Sequence, residues 1–285
     1  MHAYLIIAHN EFEVLTKLIG LLDDNRNDIY VHIDKKVKKV PALTCEKAGL
    51  YVLSGSDRID VRWGSVTQIQ AELKLLDVAS KNREYQYYHI ISGVHLPLKT
   101  QDEIHNFFDE CDGCEVLQLM PSNAEEINFK LRLYHLFVNN YMNPNRLIRK
   151  IDKFFWRVTL AFEKLFGIYR KGASRYAKAS QWCSITNNAA NFLLDHKMAI
   201  VKEYQNTFCS DEFFIASALV RSDNQFIIKN CEELLSVLFY RGNPITYSNN
   251  DYDKLINSHY LFARKFSSKH IDVVNRISDH ILKGA

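Results

Sequence analysis

Apolar residues fall in short unbroken blocks along the first part of the chain and at helical intervals along much of the rest. Tyr4-Leu-Ile-Ile-Ala8 and Ile29-Tyr-Val-His-Ile-Asp34 are apolar, β-branched runs of strand length. Between them Phe12, Leu15, Leu18, Ile19 and Leu22 share one helix face, so Glu11 to Leu22 predicts a helix. Strand, helix, strand in that order predicts parallel pairing. Leu50 to Leu53, Tyr87 to Ile91 and Val116 to Leu119 predict three more strands, and Thr67 to Ser80 a second helix. The expectation is an α/β fold whose first half, residues 1–124, is an open sheet of nucleotide-binding type.

From Glu125 the pattern turns to helices rich in aromatic and basic residues. Phe154, Phe155, Val158, Phe162, Leu165 and Phe166 recur at helical spacing, and core packing is the simplest role for that stripe. Ser180-Gln-Trp-Cys-Ser-Ile-Thr186 predicts a strand entering a helix, and Ser210 predicts the cap of a helix that follows it. No Pro/Gly/Ser-rich linker, repeat or low-complexity tract divides the chain, so residues 1–285 read as one domain with halves 1–124 and 125–285.

Composition narrows the function classes. The Tyr4–Ala8 run is too short for a signal-peptide core or a membrane span, and the six cysteines lack the density of a disulfide scaffold. Reduced thiols in a cytoplasmic protein follow as the expectation. A net charge of +3 predicts no general attraction to nucleic acid. The charge is uneven, however. Between Asn145 and Ala179 ten Lys and Arg residues face only Asp152 and Glu163. This basic, aromatic stretch suits either a solvated face or a peripheral contact with anionic lipid.

Ligands of α/β sheets bind beyond the carboxyl ends of the strands, where His9, Asn10, His32 and Asp34 fall and where they suit a base and ribose. Neither G-x-G-x-x-G nor G-x-x-x-x-G-K-[ST] occurs, which argues against a dinucleotide oxidoreductase and a P-loop enzyme. Cys111-Asp-Gly-Cys114 lacks a second ligand pair, and Asp251-Tyr-Asp253 reads as an acidic turn opening a helix. No metal site and no cofactor are expected. Trp63 and Trp182 suit stacking on a sugar as well as core packing, and Ser92-Gly93 suits a tight approach to a ligand as well as a plain turn.

Several segments then align in order. A-Y-L-I-I-A-H-N, V-H-I-D-K-K, V-R-W-G-S-V at 61–66, S-G-V-H-L-P-L at 92–98, Ser180-Gln-Trp, Ser210-Asp-Glu212 and Leu261-Phe-Ala-Arg-Lys-Phe266 together resemble the core-2/I-branching N-acetylglucosaminyltransferases over nearly the whole chain. The resemblance implies a GT-A-like, nucleotide-sugar-binding sheet and inverting transfer from a UDP-sugar, usually of N-acetylglucosamine or xylose. It assigns Glu212 as catalytic base, although spacing alone reads Asp211 and Glu212 as stabilisers of a helix start. Lys265, supported by Arg264, is implied as a metal-free clamp for the diphosphate. Arg62, Trp63 and Ser65 join His9, Asn10, His32 and Asp34 on the donor side; Ser92, Gly93, Trp182 and Asp211 fall on the substrate side.

Departures from the family pattern are equally specific. The L-R-Y-I-D-W run before R-G-N-P is replaced by Leu234-Leu-Ser-Val-Leu-Phe-Tyr240, which leaves Arg241 as a substitute for a second phosphate-binding arginine or as a plain turn residue. His95 stands where an Asp is frequent, and Cys183 where a second Trp is. The expected function is therefore N-acetylglucosamine transfer to a glycan or lipid-linked glycan in bacterial surface polysaccharide synthesis, with a non-catalytic carbohydrate-binding scaffold as the alternative.

Overall fold

The computed structural model describes residues 1–171 and 175–284. Gly172, Ala173 and Ser174, inside the basic stretch, lie outside the described residues, as does Ala285. In chain order the strands are β1 (His2–Ala8), β2 (Asn27–Ile33), β3 (Gly49–Val52), β4 (Tyr87–Ser92), β5 (Leu96–Pro97), β6 (Glu115–Leu117), β7 (Leu119–Met120), β8 (Lys178–Ala179), β9 (Cys183–Thr186), β10 (Ile228–Asn230), β11 (Leu235–Val237), β12 (Phe239–Tyr240), β13 (Asn243–Pro244) and β14 (Phe262–Arg264). The helices are α1 (Phe12–Leu21), α2 (Thr67–Asn82), α3 (Gln101–Glu110), α4 (Ala124–Ile127), α5 (Arg146–Leu165), α6 (Asn187–Asp195), α7 (Lys197–Tyr204), α8 (Phe214–Val220), α9 (Tyr252–Ile256) and α10 (Ile271–Lys283).

Seven strands form the main sheet in the order β10-β6-β9-β4-β1-β2-β3. β3, β2, β1 and β4 are parallel, and β9 enters antiparallel between β4 and β6. β1 and β2 are each paired on both sides with almost every side chain buried, which is why they read as unbroken apolar runs: helices cover both faces of such a sheet. Helix α2 lies on β1 and β2 and meets α6, while α1 meets α10. A second sheet, β11-β14-β5, ends at Arg264 beside the first. Both halves of the chain supply strands to the main sheet, so the change of pattern near residue 125 is not a seam in it.

Three sequence expectations are corrected. The strand expected at Val116–Leu119 breaks after Leu117, because Leu119 and Met120 leave the main sheet to pair with β8. Ser210 does not cap a helix: its hydroxyl takes a hydrogen bond from Thr207 Oγ1 (2.8 Å), Ser210–Glu212 form a 3-10 turn, and α8 starts at Phe214. The stripe on α5 is not core. Phe154 is 61% exposed, Phe162 53% and Leu165 79%, while Trp156, Leu160 and Glu163 on the opposite side face the body of the protein. Helical periodicity reports that a face is apolar, not what covers it.

Candidate active site

Where β1 and β2 end, the chain exposes His9 and Asn10 and buries Asp34. Asp34 accepts hydrogen bonds from the Lys36 backbone and from Lys36 Nζ, both 2.8 Å, so its charge is answered from within its own turn. Lys36 continues to Asp60 at 2.9 Å, and Arg62 also pairs with Asp60. The guanidinium of Arg58 donates to the carbonyls of Ile33, Asp34 and Val37 and fastens this loop over the strand ends. His32 is wholly buried, and its Nε2 accepts from the Ile59 backbone at 2.8 Å. His32 and Arg62 are thus committed to the loop, whereas His9 and Asn10 face out.

Arg264 and Lys265 leave the end of β14 and reach the same region. Phe266, buried beside them, donates its N–H to the Val94 carbonyl, and the Lys265 carbonyl accepts from Tyr247. Glu11, at the end of the His9-Asn10 turn, takes hydrogen bonds from Ser267 Oγ (3.0 Å) and Ser268 N (2.6 Å), tying the two segments together. Burial lowers the pKa of Arg264 to about 10, against the pull of Asp211. Burial, then Arg264, lowers that of Lys265. His9 is lowered by burial too, with Lys36 and Lys265 adding to the effect and Asp34 opposing it. Among the described residues neither Arg264 nor Lys265 is in an ion pair, and Arg264 Nε has no hydrogen-bond acceptor. Two adjacent cations, desolvated and mutually repelling, form a ready place for an anion.

Trp182 lies under the Arg264 guanidinium, 4.9 Å from its ring centre, and meets His95 edge-on at 5.1 Å. Asp211 is half-buried with Oδ1 sealed and unpaired, and it receives a 3.2 Å hydrogen bond from Gln68 Nε2. The expectation that a helix start would favour its ionised form is corrected: burial, then the charge of Glu212, pushes the Asp211 carboxyl up to about 7. Glu212 remains about a third exposed. Lys130 Nζ donates to it at 2.8 Å, Lys178 Nζ stands at 3.7 Å, and both lysines share Glu126 at 2.9 and 2.7 Å. Glu212 thus stays partly open to solvent between two lysines, while Asp211 has a sealed oxygen and acts electrostatically on Arg264.

The turn at 61–66 braces this segment. Gly64 has φ +75°, and its carbonyl accepts from Cys209 N at 2.8 Å. A Cβ there would stand 3.0 Å from the Phe208 ring in a backbone conformation that L residues rarely adopt. Trp63, half-exposed, stacks on Tyr141. Ser65 is buried and shares a 2.7 Å hydrogen bond with Thr67 Oγ1. Ser92 and Gly93 lie inside: Ser92 Oγ bonds His95 Nδ1 at 2.7 Å, and a Cβ on Gly93 would come within 2.7 Å of Ala8 Cβ. Arg241 sits at the exposed tip of the β12–β13 hairpin, against the Tyr240 ring. His95 and Cys183, two departures from the family pattern, line one small buried cavity with Trp182.

Glu212, Asp211, Trp182, Arg264, Lys265 and His9 therefore gather in one neighbourhood, with Ser92 and Gly93 buried behind it through His95 and Ala8, whereas Arg241 lies on its own exposed hairpin. Sequence reading missed Lys130, Lys178, Glu126 and Gln68, which hold the two acids. The only signal was the i,i+4 spacing of Glu126 and Lys130. Among the described residues no three His, Cys, Asp or Glu side chains cluster as ligands of one metal ion.

The profile of the Core-2/I-Branching enzyme family matches residues 2–237. A search of curated proteins finds none that matches. Among solved structures, mouse xyloside xylosyltransferase 1 in its apo form is similar over 95% of this chain and 99% of its own, at 10% identity and a TM-score of 0.39. A likeness that weak adds nothing to the family match, which covers well over half of the chain. With the strand-end crevice and the gathered acids and bases in view, the chain belongs to the Core-2/I-Branching enzyme family and is a glycosyltransferase that uses a nucleotide sugar.

Proposed function

We propose that the protein is an inverting, metal-independent transferase that moves N-acetylglucosamine from UDP to a hydroxyl of a glycan, working from the cytoplasm in bacterial surface polysaccharide synthesis. The observation that carries this reading is the pair Arg264 and Lys265, two adjacent desolvated cations in no ion pair among the described residues, beside a segment that keeps Glu212 partly open to solvent. The acceptor O–H gives its proton to the Glu212 carboxylate as its oxygen bonds the anomeric carbon. The bond from that carbon to the UDP oxygen breaks on the opposite side. The electron pair leaves with UDP, whose added charge Arg264 and Lys265 neutralise, the role a divalent cation takes elsewhere. Lys130 and Lys178 hold Glu212 in place until the acceptor displaces them. His9 and Asn10 are the exposed strand-end groups offered to the nucleotide.

The test is UDP release from a panel of UDP-sugars in EDTA with varied glycan acceptors. Native protein is expected to turn over one donor irrespective of chelation. Glu212→Gln should lose turnover by about 100-fold or more while still binding UDP. Lys265→Ala should lose roughly 100-fold with weakened UDP affinity. Turnover that requires manganese would overturn the role given to Arg264 and Lys265. Undiminished turnover in Glu212→Gln would remove the base, and UDP binding with no turnover of any donor would favour a scaffold.

A further inference from the structure

Helix α5 is mounted the wrong way round for an ordinary surface helix. Its inner side consists of Trp156, whose Nε1 donates to His135 Nδ1 at 3.0 Å, buried Leu160, and buried Glu163, whose carboxylate accepts from Tyr134 N at 2.7 Å. Its outer side carries Leu147, Ile151, Phe154, Val158, Phe162 and Leu165, all at least 46% exposed and spaced three or four residues apart over the whole helix. Arg146, Lys150 and Arg157 fall along one border of that apolar face by helical spacing, and among the described residues none of the three is in an ion pair. The two acids of the helix do not answer them: Glu163 is turned inward, and Asp152 lies on the other border.

We propose that the outer face of α5 is a membrane-docking surface, lying in the plane of an anionic lipid bilayer with its apolar side chains among the acyl chains and its basic border at the headgroups. Among the described residues no helix is long and apolar enough to cross a membrane, but lying in the interface needs only an amphipathic face with cations at its edge. Charge selects this occupant over a second copy of the chain. Two such faces packed antiparallel about a two-fold axis would bring Lys150 and Arg157 of each copy against their counterparts, with no acid on that border to offset them, and a parallel pair would offer the basic border only Asp152. Anionic headgroups supply the missing counter-charge without changing the helix.

The full-length protein should float with vesicles containing phosphatidylglycerol and not with pure phosphatidylcholine vesicles, and salt should weaken the association. Phe154→Glu combined with Phe162→Glu should lower vesicle affinity at least 10-fold, and Lys150→Glu combined with Arg157→Glu by a similar factor. Both pairs should leave the melting midpoint near native, since these side chains touch solvent rather than core. Absence of flotation, or flotation indifferent to both pairs, would overturn the proposal. So would a native dimer that Phe154→Glu and Phe162→Glu dissociate without any vesicle binding, which would assign the face to a second copy. None of these outcomes depends on the donor, the base or the acceptor.

Discussion

Asp211 and Glu212 are neighbours in sequence with opposite situations. Glu212 meets solvent and two lysines; Asp211 has a sealed oxygen and a carboxyl pushed up to about 7 by burial and by Glu212. In the unfolded chain Asp211 ionises near its ordinary value of 3.8, so between the two values the folded protein holds the extra proton. Its contribution to stability is complete below the lower value and is lost as pH rises through the upper one. Asp211→Asn, which cannot ionise, should therefore gain on native protein between pH 5 and pH 8. The gain should be about 1–2 kcal/mol after discounting the partial exposure of the side chain. Parallel urea-denaturation profiles for the two proteins across that range would refute the assignment. From sequence, the two acids were visible as a pair, but their division of labour was not. It depends on Gln68, Lys130 and Lys178, which come from distant points in the chain.

At the scale of elements, the legible parts were those whose surroundings leave a mark on every residue. β1, β2 and β4 are buried on both faces, and their runs of Tyr, Ile and Val say so. α5 was legible as a helix yet misread in orientation, because its apolar stripe has the same period whether it faces core or solvent. Trp156 is the side chain that decides the matter: it packs on Phe129, His135 and Phe208, and Phe208 leads directly into the Ser210–Glu212 turn. Trp156→Ala should thus cost about 2 kcal/mol, less than a fully enclosed tryptophan would. It should also loosen α5 before the rest of the molecule. Hydrogen exchange would show faster amides over Arg146–Leu165 with the main sheet still protected. Exchange unchanged over that helix would mean that other contacts hold it.

For the molecule as a whole, nucleotide-sugar chemistry and a mostly parallel sheet were both anticipated, the first from motifs in collinear order and the second from strand, helix, strand alternation. The small sheet β11-β14-β5, which delivers Arg264, was not. Its strands are two or three residues long, too short to carry a period of their own. The order of the main sheet has a further consequence for how the chain is made. β9 fits between β4 and β6, and β10 closes the far edge, so a ribosome that has delivered residues 1–124 has produced β4 and β6 with the strand between them still unmade. Until residue 186 emerges, β4, every residue of which is buried in the finished sheet, offers an open edge to whatever is near, a state that invites association between nascent chains. A fragment of residues 1–124 made alone should consequently aggregate. A fragment reaching residue 230 should be markedly more soluble, and equal solubility of the two would mean that the edge is protected during synthesis by some other segment.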